Sequence, residues 1–161
     1  MSELLELKVP SISIEAGRKG AVKSLADQCD GILKALIDKF GTEEALNIIA
    51  PYLHDLGRSV AEAVIKSRKD LSSDAIGIAS QIHFFEKMII GVKGEPIEVS
   101  PERVVKQVQY CPMMPCSAEF CKSFEPLVNG MIEVISPGYK WTITKLMPAG
   151  DEICEWITER K

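Results

Sequence analysis

The feature that most limits what this chain can fold into is a change of rhythm at Gly94. Before it, apolar residues recur at three- and four-residue spacing; after it, they alternate between turn signals. Helices first and strands last predict an α+β fold, with a helical N-terminal half packed on a small antiparallel β-sheet that carries one long embedded helix. The 161 residues suit a single domain: an N-terminal arm over 1–18, a helical portion over 20–92 and a β-sheet portion over 95–159.

In the helical portion, Val22, Leu25, Ala26, Cys29, Ile32, Leu33, Leu36, Ile37 and Phe40 trace one amphipathic stripe from Ala21, and Gly41 stops it. Cys29 lies on that stripe and reads as a small buried hydrophobe. Thr42, followed by Glu43 and Glu44, caps a second helix that runs to about Lys66 with an expected kink at Pro51. Gly57, Ser59, Ala61 and Ala63 would let another element pack closely against it. A third helix starts near Ser73-Asp74 and ends at Gly91 and Gly94. Its Ile82, Phe84, Phe85, Met88, Ile89 and Ile90 lie nearly all round, which suits either core or the face of a homodimer.

In the sheet portion, Ile97 and Val99, then Val104, Val108 and Tyr110 set against Lys106, read as strands turned at Pro101. Ser117 caps a fourth helix over Ala118 to Ile135, closed by Ser136-Pro137-Gly138. The last stretch is a hairpin: Trp141 to Met147, a Pro-Ala-Gly-Asp turn, then Ile153 to Thr158.

Composition narrows the function classes. With 46% hydrophobic and 26% charged residues the chain is globular in type. A net charge of -4 and only short basic knots, Arg18-Lys19 and Lys66 to Lys69, point away from a nucleic-acid partner. No apolar run approaches the roughly 18 residues of a membrane span, and the N-terminus lacks the pattern of a signal peptide. A cytoplasmic protein is expected, whose five cysteines act as thiols, metal ligands or catalytic groups rather than disulfides.

Four of those cysteines, Cys111, Cys116, Cys121 and Cys154, fall in the final third. If the hairpin pairs beside the strand that ends at Cys111, all four sulfurs converge at one edge of the sheet. Thiolates suit zinc, copper(I) or an iron-sulfur cluster, and the helix opening at Ser117 would lower thiol pKa near Cys116. The gaps between Cys111, Cys116 and Cys121 are longer than the C-x2-C of zinc knuckles, so redox or nucleophilic thiol chemistry and inert packing stay open beside metal binding. His54 and His83 are additional candidates as ligand or general base. Asp151 and Glu152 are first of all turn residues.

Tyr110-Cys111-Pro112 closing a strand, Cys121 early in a helix, Gly138 to Thr144 and Gly150 to Trp156 together resemble the C-terminal half of the L-2-amino-thiazoline-4-carboxylate hydrolase-like family. Leu53 to Ala61 resembles the helix that precedes that half, so the likeness covers roughly residues 45 to 158. More distantly the chain resembles the 4-vinyl reductase domain, a small-molecule-binding α+β module that in some regulators carries redox-sensing cysteines. The resemblance implies a helical portion packed on an antiparallel sheet with a ligand cavity between them, and it carries over Cys111, Cys121 and Cys154. Cys116 is additional to the hydrolase-like pattern and favours a metal or cluster. The expected function is therefore a cysteine-rich, zinc- or iron-sulfur-binding small-molecule enzyme that opens a ring or cleaves a C–S or C–N bond. The alternatives are a non-enzymatic ligand, metal or redox sensor of the 4-vinyl reductase type, and a structural interaction domain.

Overall fold

Side-chain caps from Ser13, Asp74 and Ser117 set three of the helix starts, whereas Thr42, expected as a cap, is the first residue inside its helix. The computed structural model describes residues 12–67 and 72–161. The Ser13 hydroxyl accepts the Ala16 amide at 3.1 Å and opens α1, Ile14–Phe40, so the helix begins inside the segment expected to be an arm. Residues 1–11 of that arm lie outside the described residues. Gly41, at a φ of 83°, turns the chain into α2, Thr42–Ser67. Pro51 lies within α2 without ending it; it withholds one amide from the helical ladder. The Asp74 carboxylate accepts the Gly77 amide at 2.9 Å and starts α3, Ala75–Phe84, which widens into a π-helical turn over Phe85–Ile90. Gly91, in the left-handed region, ends it.

Four antiparallel strands follow, β1 (Lys93–Val99), β2 (Arg103–Tyr110), β3 (Tyr139–Lys145) and β4 (Cys154–Arg160), in the order β1-β2-β4-β3. Gly94, expected to end a helix, is instead a strand residue: a Cβ there would meet the Gln107 carbonyl oxygen at 2.3 Å. The expected long helix comes in two pieces, α4 (Ala118–Lys122) and α5 (Phe124–Ile135). Pro126 has no amide to offer the Lys122 carbonyl, and the Ser123 hydroxyl turns back to the Phe120 carbonyl at 2.7 Å, so the ladder breaks between them. The helices cover the sheet face that carries Trp141, Trp156 and Val104, with Ile78, Ile82, Val128 and Ile132 between the layers.

The α1 stripe is narrower than its hydrophobic pattern. Ala26, Asp30 and Leu33 are buried, whereas Leu25, Ile32, Phe40 and Cys29 are exposed. Asp30 takes the central place because its carboxylate accepts the Ser117 amide at 3.2 Å and the Ser117 hydroxyl, and pairs with Lys34 at 2.7 Å. Burial raises the Asp30 pKa, but hydrogen bonds from Lys34 and Ser117 outweigh it and hold the carboxyl below its ordinary range. A buried carboxylate thus pins α1 to the start of α4.

Two close approaches join α2 to α5. A Cβ on Gly57 would lie 1.9 Å from the Leu127 carbonyl oxygen, and one on Gly130 would lie 2.1 Å from that of His54. Ala61, one turn beyond Gly57, is fully buried. Side chains of α5 also complete the outer edge of β3. Asn129 donates to the Trp141 carbonyl and accepts the Trp141 amide, both at 2.9 Å, while Glu125 accepts the Ile143 amide at 2.8 Å.

Because the obstacle at each glycine is backbone, Gly57→Ala and Gly130→Ala should each destabilise the protein by about 3 kcal/mol or more in urea unfolding. Gly31→Ala on α1, where a Cβ meets nothing, should stabilise it by about 0.5 kcal/mol. Similar stabilities for all three variants would refute the close helix crossing.

Candidate ligand-binding site

Between the inner face of the sheet and the helices lies a cavity of about 330 Å³. Small-molecule sites span roughly 300 to 1,000 Å³, so it is of binding size. The sheet contributes Val108, Trp141, Ile143, Cys154 and Trp156. Opposite them stand Phe85 and Ile89 of the π-helical turn, Leu127, Val128 and Met131 of α5, and Val60 of α2. Ile89 is half exposed, so the wall reaches solvent there. Both tryptophans of the chain belong to the wall.

Three of the four candidate cysteines meet here. Cys111 follows the end of β2, Cys121 lies in α4, and Cys154 opens β4 in register with Val108 of β2. The final hairpin therefore does pair beside the strand that leads into Cys111. Cys116 is buried elsewhere, with Ala26, Leu33, Ala45 and Phe120. Burial pushes the Cys111 thiol from the ordinary 9.0 up to about 11 and the Cys121 thiol up to about 12. It also raises Cys116 and Cys154, although the Met147 amide, 3.3 Å from the Cys154 sulfur, opposes the shift there. Near the Ser117 helix start the shift of Cys116 runs opposite to the expected lowering: burial, reinforced by the Asp30 and Asp27 charges, pushes its thiol up. Among the described residues, no group of three or more His, Cys, Asp or Glu side chains is arranged to hold one metal ion.

The two histidines stand apart from the cavity. His54 Nε2 lies 2.9 Å from Glu133, which also receives Arg58 at 2.9 Å, in a half-exposed cluster that ties α2 to α5. His83 faces a separate hollow with Ser80, Glu95 and Lys106, where burial, reinforced by the Lys106 charge, lowers its pKa. Asp151 acts as a turn residue, accepting the Leu146 amide at 2.7 Å.

The sequence reading missed a buried ion pair at the cavity. Lys106 is 1% exposed and donates to Glu86, whose other carboxylate oxygen accepts the Trp156 indole N–H at 2.9 Å. The Lys106 ammonium also sits 5.6 Å from the Trp156 ring centre. Setting Lys106 against Val104 and Val108 was an error of parity: residues two apart share a face, so the alternation itself places the lysine inward. Glu86, an acid inside an apolar run, was the matching signal. The other carboxylate of the wall, Glu155, is held by Gln107 at 2.8 Å, Thr144 at 2.9 Å and Lys145 at 3.2 Å; the Gln107 bond leads in lowering its pKa. Both carboxylates of the wall are thus engaged, and burial favours the protonated form of its thiols.

No family model and no curated protein matches the chain. Solved structures do. The chain superposes on subunit 3 of a trafficking protein particle complex from Naegleria fowleri, covalently bound to palmitic acid, with a TM-score of 0.69 at 13% identity over 89% of this chain and 96% of that one. It also superposes on the phenol-responsive sensory domain of the transcription activator PoxR, bound to phenol, with a TM-score of 0.64 at 12% identity over 84% of this chain and 74% of that one. These likenesses establish a shared α+β fold. No helix among the described residues is long and apolar enough to cross a membrane.

Thiol reagents should read the cysteine environments directly. At pH 8, Ellman's reagent should modify Cys29, the exposed cysteine, promptly in the native protein, half-buried Cys111, Cys121 and Cys154 more slowly, and buried Cys116 only on unfolding. Cys29→Ser should remove the fast phase. Because Cys111 and Cys121 keep their protons to a higher pH when folded, their contribution is complete below about pH 9 and is lost as pH rises through about 11 and 12. Unfolding midpoints that stay flat across that range would contradict the burial.

Proposed function

We propose that this domain is a non-enzymatic sensor of small, uncharged, largely apolar molecules, which it encloses between its sheet and its helices. The observation that carries the reading is the cavity of about 330 Å³, whose wall is almost wholly hydrocarbon, indole and protonated thiol. The two structural neighbours are consistent with it, since both hold a molecule with a large apolar part. Binding would be felt by the π-helical turn, which contributes Phe85, Glu86, Ile89 and Ile90 to the wall and carries exposed Met88, with exposed Phe84 just before it. Those exposed side chains are also the basis for proposing a homodimer, in which the turn would report occupancy to a second copy.

Isopropylbenzene is a suitable probe. Titration should change tryptophan emission saturably and raise the melting temperature. Val60→Phe, which fills part of the cavity from α2, should weaken binding about tenfold while leaving the fold intact. A wild-type protein that shows no saturable response would defeat the proposal.

A second reading retains the soft metal, because Cys111, Cys121 and Cys154 share one wall. The sulfurs would have to draw together and lose their protons, after which they could hold zinc or an iron-sulfur cluster. Anaerobic purification with metal and sulfide analysis tests it. Stoichiometric zinc, or iron with acid-labile sulfide, that Cys111→Ala loses would support the metal reading; metal-free protein would remove it.

A further inference from the structure

The cavity comes to the surface at Ile89, and the corner around that point is cationic although the chain as a whole carries a net charge of -4. Arg18 donates to the Met88 carbonyl at 2.6 Å, and a Cβ on Gly91 would lie 3.6 Å from its Nη2, so the guanidinium lies along the end of the π-helical turn. The next residue, Lys19, holds its ammonium 5.4 Å from the Tyr110 ring centre, and Lys93 of β1 holds its own 5.5 Å from the same ring. Lys93 and Tyr110 each adjoin a residue of the cavity wall, Val92 and Cys111. The short basic knot Arg18-Lys19 thus meets a third cation beside the cavity.

These cations lack counter-charges. Arg103, Lys106, Lys140 and Lys145 of the sheet are all paired with carboxylates, whereas among the described residues no carboxylate forms an ion pair with Arg18, Lys19 or Lys93. The Glu15 charge acts on Lys19 only from beyond ion-pairing distance. Uncovered apolar side chains stand with them. Ile14, 92% exposed, lies one helical turn before Arg18 on the same side of α1, and Ile12, 69% exposed, places its Cδ1 3.4 Å from where a Gly17 Cβ would be. An acidic protein or a free phosphate would answer the cations and leave the isoleucines and the cavity mouth in water. A layer that is anionic outside and apolar beneath answers all three.

We propose that this corner docks on an anionic lipid surface, with Arg18, Lys19 and Lys93 among the headgroups, Ile12 and Ile14 at the acyl boundary, and the mouth of the cavity turned to the bilayer. The contact is interfacial and needs no spanning helix. It goes beyond the sensor reading above and takes from it only what the mouth admits: apolar molecules concentrate in a bilayer, so a mouth placed there meets them where they are most abundant.

Co-sedimentation with vesicles tests the docking. Wild-type protein should sediment with an equimolar mixture of phosphatidylcholine and phosphatidylglycerol, should stay in solution with phosphatidylcholine alone, and should be released as salt is raised to about 0.5 M. Lys19→Glu/Lys93→Glu should weaken binding to the mixed vesicles about twentyfold or more, since each cation at an anionic surface contributes about fivefold. Ile12→Ser/Ile14→Ser should weaken it about tenfold at unchanged charge. All four side chains are exposed and outside the cavity wall, so melting temperature and isopropylbenzene affinity in solution should match the wild type. Wild-type protein that ignores the mixed vesicles, or a charge-reversed variant that sediments as well as wild type, overturns the docking and leaves the sensor reading standing. Polyglutamate in place of vesicles examines the other kind of partner: if it binds through the same lysines and the isoleucine variant sediments with vesicles as well as wild type, the surface fits an acidic protein and the lipid proposal falls. Vesicle binding without any response to isopropylbenzene would keep the docking and remove the sensor.

Discussion

The buried ammonium of Lys106, in the hollow beside the cavity, is the constraint that fixes Glu86 in the cavity wall. A lysine on the covered face of a sheet must be neutralised where it stands, since an unpaired charge at that depth would cost several kcal/mol. Glu86 supplies the counter-charge from the π-helical turn and also takes the Trp156 indole, so one carboxylate fixes the turn, a central strand and an aromatic wall residue together. Arg18 of α1 donates to the Met88 carbonyl at 2.6 Å, within the same turn. The turn is thereby tied to the sheet through Glu86 and to α1 through Arg18, with the apolar cavity beside it.

That arrangement decides what the cavity is chemically. The ion pair closes on itself, and the remaining wall carries no free ionic group to attract an ion. The thiols follow the same rule: desolvation favours their protonated form, so three cysteines become part of an apolar lining. An uncharged guest can enter without moving a proton, whereas a metal would have to take protons from the thiols and gather their sulfurs. This balance of the wall is what supports the proposed sensing of a neutral molecule over metal binding.

Much of the framework was legible in the sequence. The change of rhythm after the third helix gave the α+β order, and the final hairpin gave the pairing that brings Cys154 beside the strand leading to Cys111. Gly57 and Ala61 announced a close helix contact, which α5 fills with Gly130. What escaped were features fixed by tertiary context. Asp30 occupies the α1 stripe because it binds Ser117, the cap of α4, and no periodicity within α1 could show that Cys29 would face solvent instead. Cys116 left the cysteine group because the proline-bearing loop carries it toward α1, a path that spacing alone does not encode. Lys106 was legible and misread, since strict alternation already placed it with Val104 and Val108.

The fold also explains why a cavity can sit here while identity to similar structures falls to 12–13%. A twisted sheet and a helical layer meet with imperfect complementarity, and small side chains such as Val108, Val128 and Cys154 leave the gap unfilled. The depth of that gap is set by backbone: the α2–α5 crossing through Gly57 and Gly130, and the Asn129 and Glu125 bonds that hold α5 to the edge of β3. Its chemistry is set by the few side chains that line it. Changing those side chains can alter the chemistry of the cavity without disturbing the frame, so a shared fold does not by itself fix what the cavity does.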